Sequence, residues 1–287
     1  MPRHILIALI FTILFWSSAF AAIRVSLADY SPYHLALLRF LVASLALVIY
    51  ALITRMRLPD KRDLPAIFLL GLIGISLYHF ALNYGEKTVT AGAASLIIAS
   101  APIFSVLLAR FFYKDKLSPA GWLGILLSFG GIAVITLGEG QTLSFEPHAF
   151  WVLLAALFTS IYIVFQRPLL KKYSGFEFST YAIWAGTLLL MVGAPGLLKE
   201  ISEAPASSTL AVVYLGIFPT AISYLLYSYA LSKARISQVI SFLYLNPVFA
   251  IGIAFLWLGE IPAPISLLGG LLALAGVILV NRYGHYR

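Results

Sequence analysis

From residue 4 to residue 281 this chain is a succession of apolar runs of about twenty residues, interrupted only by short charged, proline-rich or glycine-rich stretches. Roughly twenty apolar residues is the length that crosses a bilayer as a helix, and a chain assembled from such runs cannot cover itself with a water-compatible surface. The runs fall at about 4–23, 32–53, 65–84, 89–112, 119–137, 148–166, 178–197, 208–231, 236–258 and 264–281. Backbone in contact with lipid must satisfy itself in helices or closed barrels, and these runs lack the alternation of barrel strands. The prediction is an all-α polytopic membrane protein with ten transmembrane helices. Composition agrees: 10% of residues are charged, against about 25% in a soluble domain, and the mean hydropathy is +0.97.

The first run imitates a secretory signal, with Arg3, an apolar stretch from Ile5 and a cleavage-like Ala19-Phe20-Ala21. It is long enough to span, and removing it would spoil an internal symmetry, so it is read as a span. Sliding the sequence by 145 residues superposes Gly71 on Gly216, Tyr84 on Tyr229, Pro102 on Pro247, Phe104 on Phe249, Pro119 on Pro264, Gly124 on Gly269 and Gly131 on Gly276, without a gap. Matched glycines and prolines mean matched backbone, so the chain divides into two five-helix units, 1–140 and 146–287. Five is odd. The second unit therefore starts on the opposite side of the membrane and lies inverted.

Charge tests that arrangement through the excess of Lys and Arg in cytoplasmic loops. With a cytoplasmic N-terminus, fifteen of the nineteen basic residues fall inside, from Arg3 through the 55–62 cluster to Arg282 and Arg287. Arg24, Lys87 and Lys199 lie outside and Arg39 within the second span. Both termini are thus expected in the cytoplasm, and the net charge of +8 becomes a topology signal. No nucleic-acid surface is implied.

Pro102 and Pro247 sit near the centres of the fourth and ninth runs, where each removes a backbone hydrogen bond; as a symmetric pair they read as hinges beside a central site. The fifth and tenth runs carry Gly124, Ser128, Gly131 and Gly269, Ala273, Gly276, stripes of small residues that permit close packing as scaffold. Polar and aromatic residues concentrate in the other helices. The substrate-contact candidates are Trp16, Ser17, Tyr78, His79, Asn83, Ser95 and Ser100 in the first half, and Thr159, Tyr162, Tyr224, Tyr227, Gln238, Ser241 and Tyr244 in the second. Polar groups facing lipid are costly, so these should line a neutral, aromatic interior; each could equally bond a neighbouring helix. Trp122, Trp151 and Trp257 near helix ends read as interfacial anchors.

All eleven acids lie in loops or at helix ends, which predicts no buried carboxylate for a proton relay. His79 is the deep group able to titrate near neutrality, either in proton coupling or as a neutral hydrogen-bonding residue. Arg39, about two turns into its helix, roughly 10 Å at 1.5 Å per residue, either caps and pairs helices or attracts a carboxylate. Cysteine is absent. No nucleotide-binding, metalloprotease or serine-hydrolase motif occurs, so no enzyme activity, cofactor or metal is expected.

The stretches TAGAASLIIASAPIFSVLLARFFYKDKLSPAGWLGILLSFGGIAVI (90–135) and ISQVISFLYLNPVFAIGIAFLWLGEIPAPISLLGGLLALAGVILV (236–280), with FWSSAFAAIR and LLRFLVA, resemble the drug/metabolite transporter superfamily, EamA branch. The resemblance covers both units. Within the branch the chain is similar to the YddG-type exporters of aromatic and other neutral amino acids. The likeness implies a ten-helix basket with inverted repeats, a cavity walled by helices one, three, four, six, eight and nine, and peripheral helices five and ten. The expected function is alternating-access export of neutral, above all aromatic, amino acids across the inner membrane by a monomer or homodimer, without ATP. The alternative is an exporter of other small metabolites or lipophilic drugs, with proton coupling in reserve.

Overall fold

A computed structural model describes residues 2–113, 118–139, 146–234, 239 and 242–283. Among them are eight helices long and apolar enough to cross a membrane and two shorter apolar ones. They are α1 (Arg3–Ser26), α2 (Pro32–Thr54), α3 (Lys61–Gly85), α4 (Ala91–Phe112), α5 (Pro119–Glu139), α6 (Pro147–Phe165), α7 (Gly175–Gly193), α8 (Ala206–Lys233), α9 (Asn246–Leu258) and α10 (Pro264–Tyr283). A further short helix, Leu197–Glu203, lies between α7 and α8.

Helix starts follow local chemistry. Ser31 and Thr90 cap α2 and α4 by accepting from the amides of His34 and Ala93, each at 3.3 Å. Ser174 and Glu177 close a reciprocal capping box at α7. These side chains satisfy amides that a helix start leaves without intrahelical partners. At the far end of α9, Gly259 takes φ +69°, the left-handed conformation that glycine supplies cheaply after a helix.

Large apolar side chains lie on the surface and small polar ones are buried among an apolar interior, unlike a soluble domain. Leu52, Ile53, Phe111, Val192 and Leu256 are exposed, while Thr12, Ser17, Ser26, Asn83, Ser100, Ser128 and Ser160 have no exposed surface. That partition fits a protein solvated by lipid.

The packing crosses between halves. α1 lies against α8 and α9 of the second half, and α6 lies against α3 and α4 of the first. α5 and α10 pack chiefly on each other. A Cβ on Gly276 would sit 2.4 Å from the Gly124 carbonyl oxygen, and one on Gly131 would sit 2.5 Å from that of Gly269. Only glycine tolerates such approach. Gly124 meets Gly276 while Gly131 meets Gly269, so the two helices run antiparallel.

Two features depart from the sequence reading. α4 is broken outright: one helix ends at Ile98 and the next begins at Ala101, with Pro102 as its second residue. Pro247 is likewise the second residue of α9, after a turn at Tyr244–Leu245. A proline in a first turn forfeits no helical hydrogen bond; the prolines start new helices instead of kinking continuous ones. The second departure is a π-helical segment at Leu72–Leu77 in α3 and another at Gly216–Ile222 in α8, each beginning where Gly71 and Gly216 superpose. π turns leave backbone carbonyls irregularly spaced and occur often at functional sites.

Candidate functional site

The π segment of α8 organises the interior around it. Pro219 stands inside it and has no amide to offer the Leu215 carbonyl, four residues earlier. The Thr220 hydroxyl donates to that carbonyl at 2.8 Å. Thr220 Oγ1 in turn accepts from Arg39 Nε at 3.0 Å. The Pro219 carbonyl accepts from Trp16 Nε1 at 2.9 Å. One irregular turn thus fixes an indole from α1 and a guanidinium from α2.

Trp16 meets Tyr227 at 5.0 Å and Tyr224 at 5.9 Å between ring centroids, within the range of favourable ring pairs. Tyr224 and Tyr78 both lie within electrostatic reach of Arg39. Trp16, Tyr78, Tyr224 and Tyr227 each keep part of their surface uncovered. Three of the expected contact residues, Trp16, Tyr224 and Tyr227, therefore converge on one aromatic, hydroxyl-bearing wall, and Tyr78 lies within electrostatic reach of it.

The other expected site residues divide. Ser17 donates to the Asn246 side-chain oxygen at 2.9 Å, joining α1 to α9 beside Pro247. His79 is buried, bonds the Ile75 carbonyl at 2.9 Å and stands edge-on to Phe40 at 4.5 Å; its ring is occupied in packing. Asn83 donates to the Pro32 carbonyl at 3.0 Å. Ser95 and Ser100 turn back onto Gly92 and Ile97, each at 2.6 Å. Ser95 is spent on its own helix and Ser100 on the turn at the α4 break. Thr159 is half-buried, while its neighbour Ser160 bonds the Ala101 carbonyl at the α4 break, at 2.7 Å. Tyr162 stacks on Phe178 at 5.6 Å and presses on the Gly74 backbone, where a Cβ would come within 2.3 Å of its ring. Tyr244 packs into the apolar cluster of Ile103, Ile125, Val277 and Val280, towards α5 and α10. Gln238 and Ser241 lie outside the described residues.

At one end of the bundle two carboxylates tie the halves together. Glu260, after α9, pairs with Arg24 at the end of α1 at 2.9 Å and accepts from the Ala91 amide at 3.2 Å. Arg24 also donates to the Glu86 carbonyl at 2.6 Å. Glu139, ending α5, accepts from the Thr90 hydroxyl at 2.7 Å and from the Ala263 amide at 3.4 Å. Beside this closure a cavity of about 380 Å³ is bordered by Arg24, Val25, Lys87, Leu258 and Glu260.

Sequence reading put Glu86, with the other acids, in a loop or at a helix end and predicted no buried carboxylate. It does lie in the link after α3, but no part of it is exposed. Arg24 draws its carbonyl inward from 62 residues away, a contact no local pattern announces. Pro219 and Thr220 also escaped notice; the superposition of Gly71 on Gly216 was the available signal.

Comparison with known proteins decides the kinship. The EamA-like transporter family model matches residues 3–137 and again 147–282. The chain belongs to that family. This EamA chain is 47% identical to "Uncharacterized transporter YdfC" of Bacillus subtilis, over 91% of this chain and 86% of that protein. It is 43% identical to the "Probable terminal-alkyne amino-acid exporter" of Streptantibioticus cattleyicolor, over 96% and 92%. A solved crystal structure superposes with a TM-score of 0.63 at 21% identity, covering 98% of this chain and 97% of that one, a likeness of fold alone. EamA proteins and these relatives are transporters, not enzymes, and this chain is a multi-pass membrane transporter with two EamA repeats.

Proposed function

We propose that this EamA transporter exports neutral amino acids, aromatic ones above all, by alternating access through its interior. The observation that carries the reading is the wall of Trp16, Tyr224 and Tyr227, held by the π turn of α8 and still partly uncovered, with Tyr78 within electrostatic reach. Such a wall stacks on an aromatic side chain. The naming of a 43%-identical relative as an amino-acid exporter supports the substrate class.

The chain is read as ten spans in two inverted repeats, 1–140 and 146–287, with both termini in the cytoplasm of an inner membrane. The antiparallel contact of α5 with α10 and the crossing of α1 and α6 between halves support the inversion. In that orientation the Arg24–Glu260 closure lies at the outer end, so the state is closed outward. The repeats rock about the breaks at Pro102 and Pro247, driven by the solute gradient without ATP. Counterflow in proteoliposomes loaded with labelled Trp, Phe or Thr, with a cationic dye as competitor, tests this. Saturable exchange of Trp and Phe, resistant to the dye, is expected. No flux of any amino acid would overturn the substrate class, and competition by the dye would favour the drug-exporting alternative.

A further inference from the structure

Two buried ionisable groups are left unexplained by the aromatic wall. Arg39 is 5% exposed; its Nε bonds Thr220, its guanidinium carbon lies 5.6 Å from the Phe40 ring centroid, and among the described residues no carboxylate pairs with it. Glu86 is wholly buried and neither of its carboxyl oxygens has a hydrogen-bond partner. Asn83, one turn earlier, also presents a buried side-chain oxygen without a donor; residues three apart on a helix are neighbours.

Arg39 and Glu86 lie within electrostatic reach of each other, and both reach Tyr78, yet no ion pair joins them. Burying an unpaired charge or an unbonded polar group costs several kcal/mol. A fold selected only for stability would pair these two. Unpaired, they offer guanidinium donors and three acceptor oxygens within electrostatic reach. That is the complement of a molecule carrying a carboxylate and an ammonium on one carbon.

We propose that Arg39 and the Asn83–Glu86 pair form a clamp for the zwitterionic head group of an α-amino acid, with carboxylate at Arg39 and ammonium at Glu86 and Asn83. The proposal rests on the amino-acid export reading and adds recognition of the head group to that of the side chain. While the clamp is empty, burial keeps the Glu86 carboxyl protonated well above the usual carboxylate range. Glu260 acts in the same direction, and Arg24 and Arg39 oppose it. An arriving ammonium provides the missing donors, so the carboxyl O–H dissociates and one proton leaves for bulk water per solute bound.

The test uses full-length protein in proteoliposomes. Competition for labelled Trp exchange is measured with unlabelled Trp, tryptamine, which lacks the carboxylate, and indole-3-propionate, which lacks the amine. Wild type should be inhibited far more strongly by Trp than by either analogue. Glu86→Gln should weaken Trp about tenfold or more and cease to distinguish it from indole-3-propionate. Arg39→Gln should cease to distinguish Trp from tryptamine. Asn83→Ala, a milder change, should weaken Trp and leave indole-3-propionate unchanged, which keeps the test decisive where a charge variant does not fold. Trp should also release protons from weakly buffered wild type and none from Glu86→Gln. Equal inhibition of wild type by Trp and both analogues, or unaltered discrimination in folded variants, overturns the clamp alone. Absence of any amino-acid exchange by wild type overturns the export reading itself.

Discussion

The Ser128 hydroxyl on α5 donates to the Ala273 carbonyl on α10 at 2.7 Å, across a separation of 145 residues, which is the shift that superposes the two halves of the sequence. Gly124 and Gly276 touch on one side of this bond, Gly131 and Gly269 on the other. Exchanging the halves maps the first contact onto the second. The arrangement is that of a two-fold axis passing beside Ser128, with the self-complementary contacts that such an axis requires.

Replacing Gly276 by Leu should therefore break the scaffold and leave the solute wall intact. Its Cβ would meet backbone at 2.4 Å, and overpacking of this kind costs about 1–3 kcal/mol or more. The melting temperature in detergent should fall, while relative preference among competing amino acids stays unchanged.

Trp16→Phe keeps a ring beside Tyr227 but gives up the bond to the Pro219 carbonyl. Exchange of labelled Trp should weaken up to about tenfold, the worth of one buried hydrogen bond. Trp16→Ala should weaken it further, with circular dichroism showing helix content preserved.

Pro102→Ala combined with Pro247→Ala should yield a folded, inserted protein. Both prolines occupy first-turn positions where alanine is acceptable. The restored amides allow helix to propagate back through each break, so exchange should slow. Unchanged counterflow rates would reduce the prolines to packing features.

Glu86 carries a pH signature. Its carboxyl holds a proton in the folded chain at pH values where the unfolded chain has released it, so wild type loses stability as pH rises above the ordinary carboxylate range. Glu86→Gln has no such proton to lose. Thermal melts of the two between pH 5 and 9 should diverge, with the variant falling less steeply towards alkaline pH.

The scaffold was legible because helix periodicity and small residues place Gly124, Ser128 and Gly131 on one face without help from the rest of the chain. The aromatic wall was legible in part: Trp16, Tyr224 and Tyr227 are large, partly polar rings in apolar runs, and such groups turn inward. Ser95 and Ser100 were misleading, since a serine in or just after a helix meets its own preceding turn as readily as a ligand. The α4 break looked like a kink because a proline names a disturbance without saying whether a helix bends there or restarts. The burial of Glu86 was not legible because it arises from tertiary packing, of which the Arg24 bond to its carbonyl from 62 residues away is one part.

The paired π turns have one more consequence. A helix that takes in an extra residue in one turn advances its downstream side chains by about 100°, the angle between successive residues in an α-helix. Tyr78, Asn83 and Glu86 follow the turn in α3, and Tyr224 and Tyr227 follow the turn in α8. These two irregular stretches set the rotational phase of both helices. Were either wound as ordinary α-helix, the same polar side chains would swing away from the interior, towards neighbouring helices and lipid.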